Sequence, residues 1–230
     1  MNKRFKISVT CLAAAILLST VGLAQEVPGA KQQESIVLKN ATLHPINAEQ
    51  IKNGMLLIED GKIAAIGKKV DTPEGAKVFD LEGKHVYPGL FEPHTQIGLT
   101  ELSAVRATND YREAGTINPN VKALVSVYPD NMNIPVTRSN GVLFALTAPS
   151  GGLISGKSAV IQLDGWTYED MAVKAEAAMQ VDWPSQTLSG RMRVRMTAKE
   201  IQAAQKKQAG RLTKLTEFLA AARDLSLIHI

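Results

Sequence analysis

Residues 87–99 read YPGLFEPHTQIGL, and this segment divides the chain into two parts of different character. Short strand patterns joined by tight turns precede Pro88, whereas apolar strand patterns, a long loop-rich segment and one helix follow it. Residues 90–99 are predicted to form a buried strand. Side chains two positions apart on a strand point to the same side, so His94 and Gln96 are expected to share one face.

The part before Pro88 is predicted to be a small antiparallel sandwich or sheet. Its strand patterns cover residues 35–43, 55–59, 62–66, 77–81 and 84–86. Asp60-Gly61 is a strong two-residue hairpin signal, and Glu82-Gly83 is expected to close another hairpin between the last two patterns. Many short strands separated by such turns favour an all-β unit over residues 25–87.

The part after Pro88 is predicted to mix strands with helix. Strands are expected over residues 141–147 and 158–163. Residues 101–138 carry scattered Asn, Pro and Asp without a sustained helical period and are predicted to be a loop-rich insertion. A helix is predicted over residues 197–223, because Thr197 and Glu200 form a capping-box pattern and apolar residues recur at helical spacing behind them.

Residues 87–99 resemble the beginning of the first barrel strand of the amidohydrolase superfamily, as in its imidazolonepropionase-like members. The usual pattern there is Pro-Gly, two apolar residues and then Asp-x-His-x-His. The segments DGKIAAIG (60–67) and NGVLFALTAP (140–149) extend the resemblance over roughly residues 35–165. It implies an α/β fold in which a small N-terminal β-sandwich segment is followed by the beginning of a (β/α)8 TIM-like barrel, here over residues 88–224.

The resemblance also implies hydrolysis of amide or cyclic-amide C–N bonds by a hydroxide on a divalent metal ion, for which zinc is expected. In the family, two histidines of the first strand bind this ion, and His94 holds the first of these places. Gln96 stands at the second, where it offers an amide oxygen instead of a neutral imidazole. Glu92 replaces the usual aspartate. Only His229 follows the second barrel strand, so this chain by itself cannot assemble the family's metal site.

Gln96 leaves two hypotheses open. The first is a metal-dependent hydrolase whose remaining catalytic residues lie beyond this chain. Such an enzyme needs a full set of metal ligands, because its metal must lower the pKa of a bound water to near 7. The second is a metal-free, non-catalytic protein of the same fold that binds a ligand or partner. A histidine introduced at Gln96 distinguishes the two, since only a lapsed site gains metal in that variant.

Residues 151–158, GGLISGKS, match the phosphate-loop pattern GxxxxGK[ST]. A nucleotide-binding loop requires a helix directly after its serine, whereas residues 159–163 are strand-like. We therefore interpret the glycines as a tight structured loop at a strand end. Because loops after barrel strands surround the active site, Gly151 and Gly152, with Glu101 beyond the first strand, are expected to line a substrate site.

His44 and His85 lie at or near strand ends, and we expect surface or hydrogen-bonded histidines at both places rather than metal ligands. The run RMRVR at residues 191–195 alternates basic and apolar residues without an aromatic stacking pattern. It is predicted to be a surface strand or loop, so we expect a small-molecule substrate and no nucleic-acid partner.

Residues 1–24 have the pattern of a signal peptide, with a basic start, an apolar run and small residues at its end. An uncleaved membrane anchor is the alternative. Cleavage removes three basic residues and no acidic one, which lowers the formal charge from +4 to +1, and it also removes the single cysteine, Cys11. A periplasmic or secreted protein is expected, without a stable membrane span after cleavage.

The last six residues, LSLIHI (225–230), resemble a translated sequencing adapter and are expected to be a non-native tail. About 140 residues follow Pro88, whereas a (β/α)8 barrel needs about 250. The chain is therefore expected to be an N-terminal fragment with a truncated barrel.

Overall fold

The computed structural model describes residues 27–185 and 196–228. The predicted signal peptide, the basic run at residues 191–195 and His229 lie outside the described residues. The described part contains two β-sheets and a long helix, which confirms the expected mixed α/β fold.

The first sheet contains the five predicted strands. They are β1 (Ile36–Leu43), β2 (Ile51–Glu59), β3 (Lys62–Gly67), β4 (Lys77–Asp80) and β5 (His85–Val86). The order is β3-β2-β1-β4, with β5 also paired to β1. The Asp60-Gly61 hairpin is confirmed, since β2 and β3 pair in antiparallel fashion on either side of it. Ala41, Leu43 and Leu56 form the buried centre of this sheet.

The predicted hairpin at Glu82-Gly83 is wrong, because β4 and β5 both run parallel to β1 instead of pairing with each other. Glu82 and Gly83 do adopt positive φ angles, and the Glu82 amide donates to the Asp80 carboxylate at 3.0 Å. The turn displaces the chain without reversing it. β5 therefore continues beside β1 where β4 ends.

The second sheet has the order β6-β7-β8-β9. Its strands are β6 (Leu90–Thr95), β7 (Val142–Thr147), β8 (Ile154–Gln162) and β9 (Ala172–Val181). β6 and β7 are parallel, as two successive barrel strands would be, whereas β7–β8 and β8–β9 are antiparallel. The expected burial of residues 90–99 is wrong for the strand itself: Leu90 is 59% and Phe91 48% exposed, and burial begins only at Ile97.

The insertion between β6 and β7 is loop-rich, as predicted. It contains two 3-10 turns (Arg106–Thr108 and Ala123–Ser126) and the short helix α1 (Asn133–Ser139). Its apolar residues join the main core, where Leu124 and Val127 pack with Ile161 of β8. A second short helix, α2 (Tyr168–Met171), precedes β9.

The long helix α3 (Ala198–Ile228) confirms the predicted helix and extends it by five residues. The capping box is present, because the Thr197 amide donates to Glu200 Oε2 at 2.7 Å and the Glu200 amide donates to Thr197 Oγ1 at 3.4 Å. Leu215 is fully buried against Leu153 and Ile154, which fixes α3 to the start of β8.

Candidate functional site

The carboxyl ends of β6 and β7 meet at one edge of the second sheet, because the two strands are parallel. Three hydrogen bonds join them there. Gln96 Nε2 donates to Ser150 Oγ at 2.9 Å, Thr147 Oγ1 donates to the Ile97 carbonyl at 2.8 Å, and the Ala148 amide donates to the Thr95 carbonyl at 2.9 Å. Gln96 is therefore fixed to the loop that follows the neighbouring strand.

His94 lies on β6 and is exposed, whereas Gln96 is half-buried just past the end of that strand. The pairing of β6 with β7 is irregular between Glu92 and Thr95, and β6 ends at Thr95. His94 and Gln96 therefore do not both lie on a regular strand, which is what the expectation of a common face assumed. The Glu92 carboxylate accepts from the backbone amide of His94 at 3.5 Å.

The described residues contain no group of three or more His, Cys, Asp or Glu side chains placed to hold a metal ion. A catalytic zinc is usually held by three protein ligands and one water. His94 and Gln96 are two donors at most, so the described residues do not complete such a site.

The GGLISGKS segment is not a phosphate loop. β8 begins at Ile154, so Lys157 and Ser158 lie within a strand where a phosphate loop requires a helix. Gly152 has a φ of +75°, and a Cβ there would lie 2.7 Å from the carbonyl oxygen of Thr116. Gly152 is thus required for close backbone approach, as predicted for a tight structured loop.

The loop after β7 is also held by α3, which the sequence did not indicate. Arg211 donates to the Gly152 carbonyl at 3.1 Å and to the Asp182 carboxylate at 2.9 Å. Lys214 Nζ donates to Thr116 Oγ1 at 2.8 Å. The helix therefore fixes both backbone segments that meet at Gly152.

Glu101, the third residue expected to line a substrate site, borders a cavity of about 570 Å³ beyond β6. Asp110, Tyr128 and the fully buried Asn131 also line this cavity. The Glu101 amide donates to the Thr108 carbonyl at 3.2 Å, which holds the wall of the cavity in place. The structure does not bring Gly151 and Gly152 to this cavity, because neither is among the residues that line it; they lie beside Arg112 and Thr116 instead.

An ion-pair cluster joins the insertion to β8 and β9. Glu176 contacts Lys122 at 2.7 Å and Lys157 at 2.6 Å. Hydrogen bonds from these two ammonium groups lower the pKa of Glu176 to about 2. Lys157, the lysine of the GKS motif, therefore serves a structural ion pair.

In the part of the chain that the structure describes, no helix combines the length and the apolar character needed to cross a bilayer.

Comparison with solved structures gives an amidohydrolase from Thermotoga maritima MSB8, with a TM-score of 0.64 and 25% sequence identity over 82% of this chain. The D-hydantoinase of Geobacillus stearothermophilus is 42% identical over 81 residues. These similarities support the amidohydrolase superfamily as the family of this chain. The imidazolonepropionase of Klebsiella pneumoniae subsp. pneumoniae is 40% identical over 70 residues. The match to the D-hydantoinase covers 35% of this chain, and the match to the imidazolonepropionase covers 28% of it.

The chain covers only part of each of these proteins. The matches span 16% of the D-hydantoinase, 17% of the imidazolonepropionase and 49% of the Thermotoga structure. No protein-family profile matches the chain.

Proposed function

We propose that the complete protein is a metal-dependent hydrolase of amide or cyclic-amide C–N bonds. The observation that carries this proposal is the YPGLFEPHTQIGL segment, which contains β6, pairs with the parallel strand β7 and is joined at its carboxyl end to the loop after β7. Superfamily members bind their metal at this end of the barrel strands. The names of the relatives, a hydantoinase and an imidazolonepropionase, support C–N hydrolysis as the reaction class.

The proposed donors from this chain are His94 and Gln96. Zinc is the expected ion, and its other ligands are proposed to come from parts of the complete protein outside this chain. Glu101 is proposed to contact the substrate from the adjoining cavity. The substrate is a small molecule in this proposal, since the cavity at this end of β6 has a volume of about 570 Å³, which is the size range of small-molecule sites.

The second candidate function is a metal-free binding protein of the same fold. The Gln96–Ser150 hydrogen bond favours it, because that bond uses the side chain at the second ligand position to join two strand ends. A glutamine committed in this way gives the fold rigidity whether or not a metal binds.

Metal analysis of the protein expressed from its full source gene tests both candidates. A hydrolase retains bound zinc after dialysis, and His94→Ala lowers both its zinc content and its hydrolysis of a cyclic amide such as hydantoin by at least tenfold. Unchanged zinc and activity in His94→Ala would remove His94 from the site.

Gln96→His is the complementary variant, and Gln33→His, at an exposed position in the first described segment, is its matched control. A zinc ion gained by Gln96→His alone, with none in the parent, identifies the metal-free protein. Equal zinc in the parent and in Gln96→His shows instead that the glutamine is compatible with metal binding.

We also propose that the protein is exported to the periplasm or secreted. The basic and apolar pattern of residues 1–24 supports this location. N-terminal sequencing of the exported protein is expected to begin at Gln25, and a retained Met1 would contradict the proposal.

A further inference from the structure

His44 and His85 are 41 positions apart in the sequence, and the first sheet brings them together. β5 runs parallel to β1 with Thr42 opposite His85. The His44 amide then donates to the Val86 carbonyl at 3.0 Å, which continues the pairing by one step. Tyr87 follows directly after β5, so three polar ring side chains meet at one end of β1.

Polar atoms of the other two rings lie within hydrogen-bonding distance of one nitrogen, His85 Nδ1. His44 Nε2 lies 2.9 Å from His85 Nδ1, and the Tyr87 hydroxyl lies 3.4 Å from the same Nδ1. The two imidazole planes differ by 20°, with centroids 5.0 Å apart. Because the two nitrogens are closer than stacked ring faces can approach, the imidazoles meet edge to edge with their nitrogen lone-pair directions facing each other.

The third ring supports this arrangement. Tyr87 stacks on His44 with centroids 4.2 Å apart and planes that differ by 9°. This contact holds the His44 ring in the orientation that directs its Nε2 toward His85. The cluster is therefore positioned by stacking on one side and by the β1–β5 pairing on the other.

One proton shared between His44 Nε2 and His85 Nδ1 makes a single hydrogen bond, and the two rings have other tautomers available. A neutral imidazole carries its proton on either nitrogen, so His44 protonated on Nδ1 and His85 protonated on Nε2 would both present a lone pair at the meeting point. Neither of those outer nitrogens has a hydrogen-bond partner among the described residues. Both tautomers can therefore form without breaking another bond of the described structure.

The sequence predicts surface or hydrogen-bonded histidines at these two positions, and the structure shows them in contact with each other. We propose, beyond that expectation, that His44, His85 and Tyr87 form a binding site for a divalent transition-metal ion, with zinc or copper as the class of ion. The two imidazole nitrogens are the main ligands, since neutral imidazole suits both ions. Tetrahedral zinc with Zn–N distances of about 2.0–2.1 Å requires nitrogens about 3.3 Å apart, so the two nitrogens must separate by about 0.4 Å from the observed contact. The two rings must also turn so that both lone pairs point at the ion instead of at each other. His85 and Tyr87 are exposed, so their rings can rotate by this amount and water can complete the coordination.

This site is separate from the proposed catalytic one. It lies at the end of the first sheet, whereas His94 lies on β6 of the second sheet. An ion bound there would join β1 to β5 immediately before Pro88, where the chain leaves the first sheet for the second. Its role is therefore to stabilise the junction between the two sheets.

Isothermal titration of the full chain, made without a histidine tag, with zinc chloride tests the site. The parent is expected to bind an ion that His44→Ala and His85→Ala each weaken by at least tenfold, whereas His94→Ala leaves that binding unchanged. Copper(II) titration of the same proteins adds a spectroscopic readout, because a tyrosinate-to-copper absorption band should be lost in Tyr87→Phe if the phenol is a ligand.

Each result decides the question. Zinc binding that is unchanged in the His44→Ala/His85→Ala double variant would overturn the proposal. Loss of all zinc binding in His94→Ala alone would also overturn it while supporting the catalytic metal site, so the two proposals can fail separately. Far-UV circular dichroism in EDTA checks that each variant folds, and His85→Gln, which keeps a polar side chain, replaces an alanine variant that does not.

Discussion

Gly152 provides a sharp test of how the loop after β7 is built. Its φ of +75° is unfavourable for any residue with a Cβ, and the added atom of alanine would lie 2.7 Å from Thr116 O and 2.9 Å from Thr116 Cα. Relief by movement of this segment is costly, because Thr116 O accepts the amides of Leu153 at 2.6 Å and Ile154 at 3.1 Å. A Gly152→Ala variant must therefore strain the backbone, weaken these bonds or both.

The expected loss follows from two contributions. The left-handed backbone costs about 1–2 kcal/mol for alanine, and forcing a methyl group against packed backbone costs about 1–3 kcal/mol more. Gly75 is the matched control, since its φ is +79° and a Cβ there would have no atom within 4 Å. Gly75→Ala is expected to lose only the first contribution.

Urea unfolding followed by the fluorescence of Trp166 and Trp183 measures both variants. Gly152→Ala is expected to lower the free energy of unfolding by roughly 1–3 kcal/mol more than Gly75→Ala. Equal losses in the two variants would refute the argument, because they would show that the close approach to Thr116 is relieved at no cost.

Two further predictions concern the contacts that hold the insertion and α3. Leu215→Ala is expected to lower the free energy of unfolding by about 2–5 kcal/mol, because it opens a cavity at a fully buried position. Hydrogen exchange at residues 151–154 should accelerate as well, whereas the more exposed Leu219 should cost about 1 kcal/mol or less when replaced by alanine. The ion pairs of Glu176 lower its pKa in the folded chain from 4.5 to about 2. These ion pairs therefore stabilise the fold fully above pH 4.5, and this stabilisation is lost as the pH falls from 4.5 towards 2. Urea midpoints measured across this range should show a weaker pH dependence in Glu176→Gln than in the parent, and parallel curves would contradict the assignment.

The local elements of the fold were predictable because their signals lie within a few residues. The β2–β3 hairpin follows from Asp60-Gly61 between two apolar strands, and α3 follows from its capping box and helical spacing. The hairpin at Glu82-Gly83 was predicted wrongly, because a turn with positive φ can reverse a chain or merely displace it. The choice depended on β1, which offers both β4 and β5 a parallel partner.

The candidate sites also divide into features with a local sequence signal and contacts between residues far apart in the sequence. The amino-acid sequence by itself determined that His94 and Gln96 stand in a recognisable motif, and the strand-like residues after GGLISGKS argued against a phosphate loop, which β8 then excluded. It held no signal for Ser150 as the partner of Gln96 or for the meeting of His44 with His85, which are 54 and 41 positions apart respectively. Only the tertiary structure decided these contacts, because strand pairing and register set which distant side chains meet, whereas turn and capping signals act over a few residues.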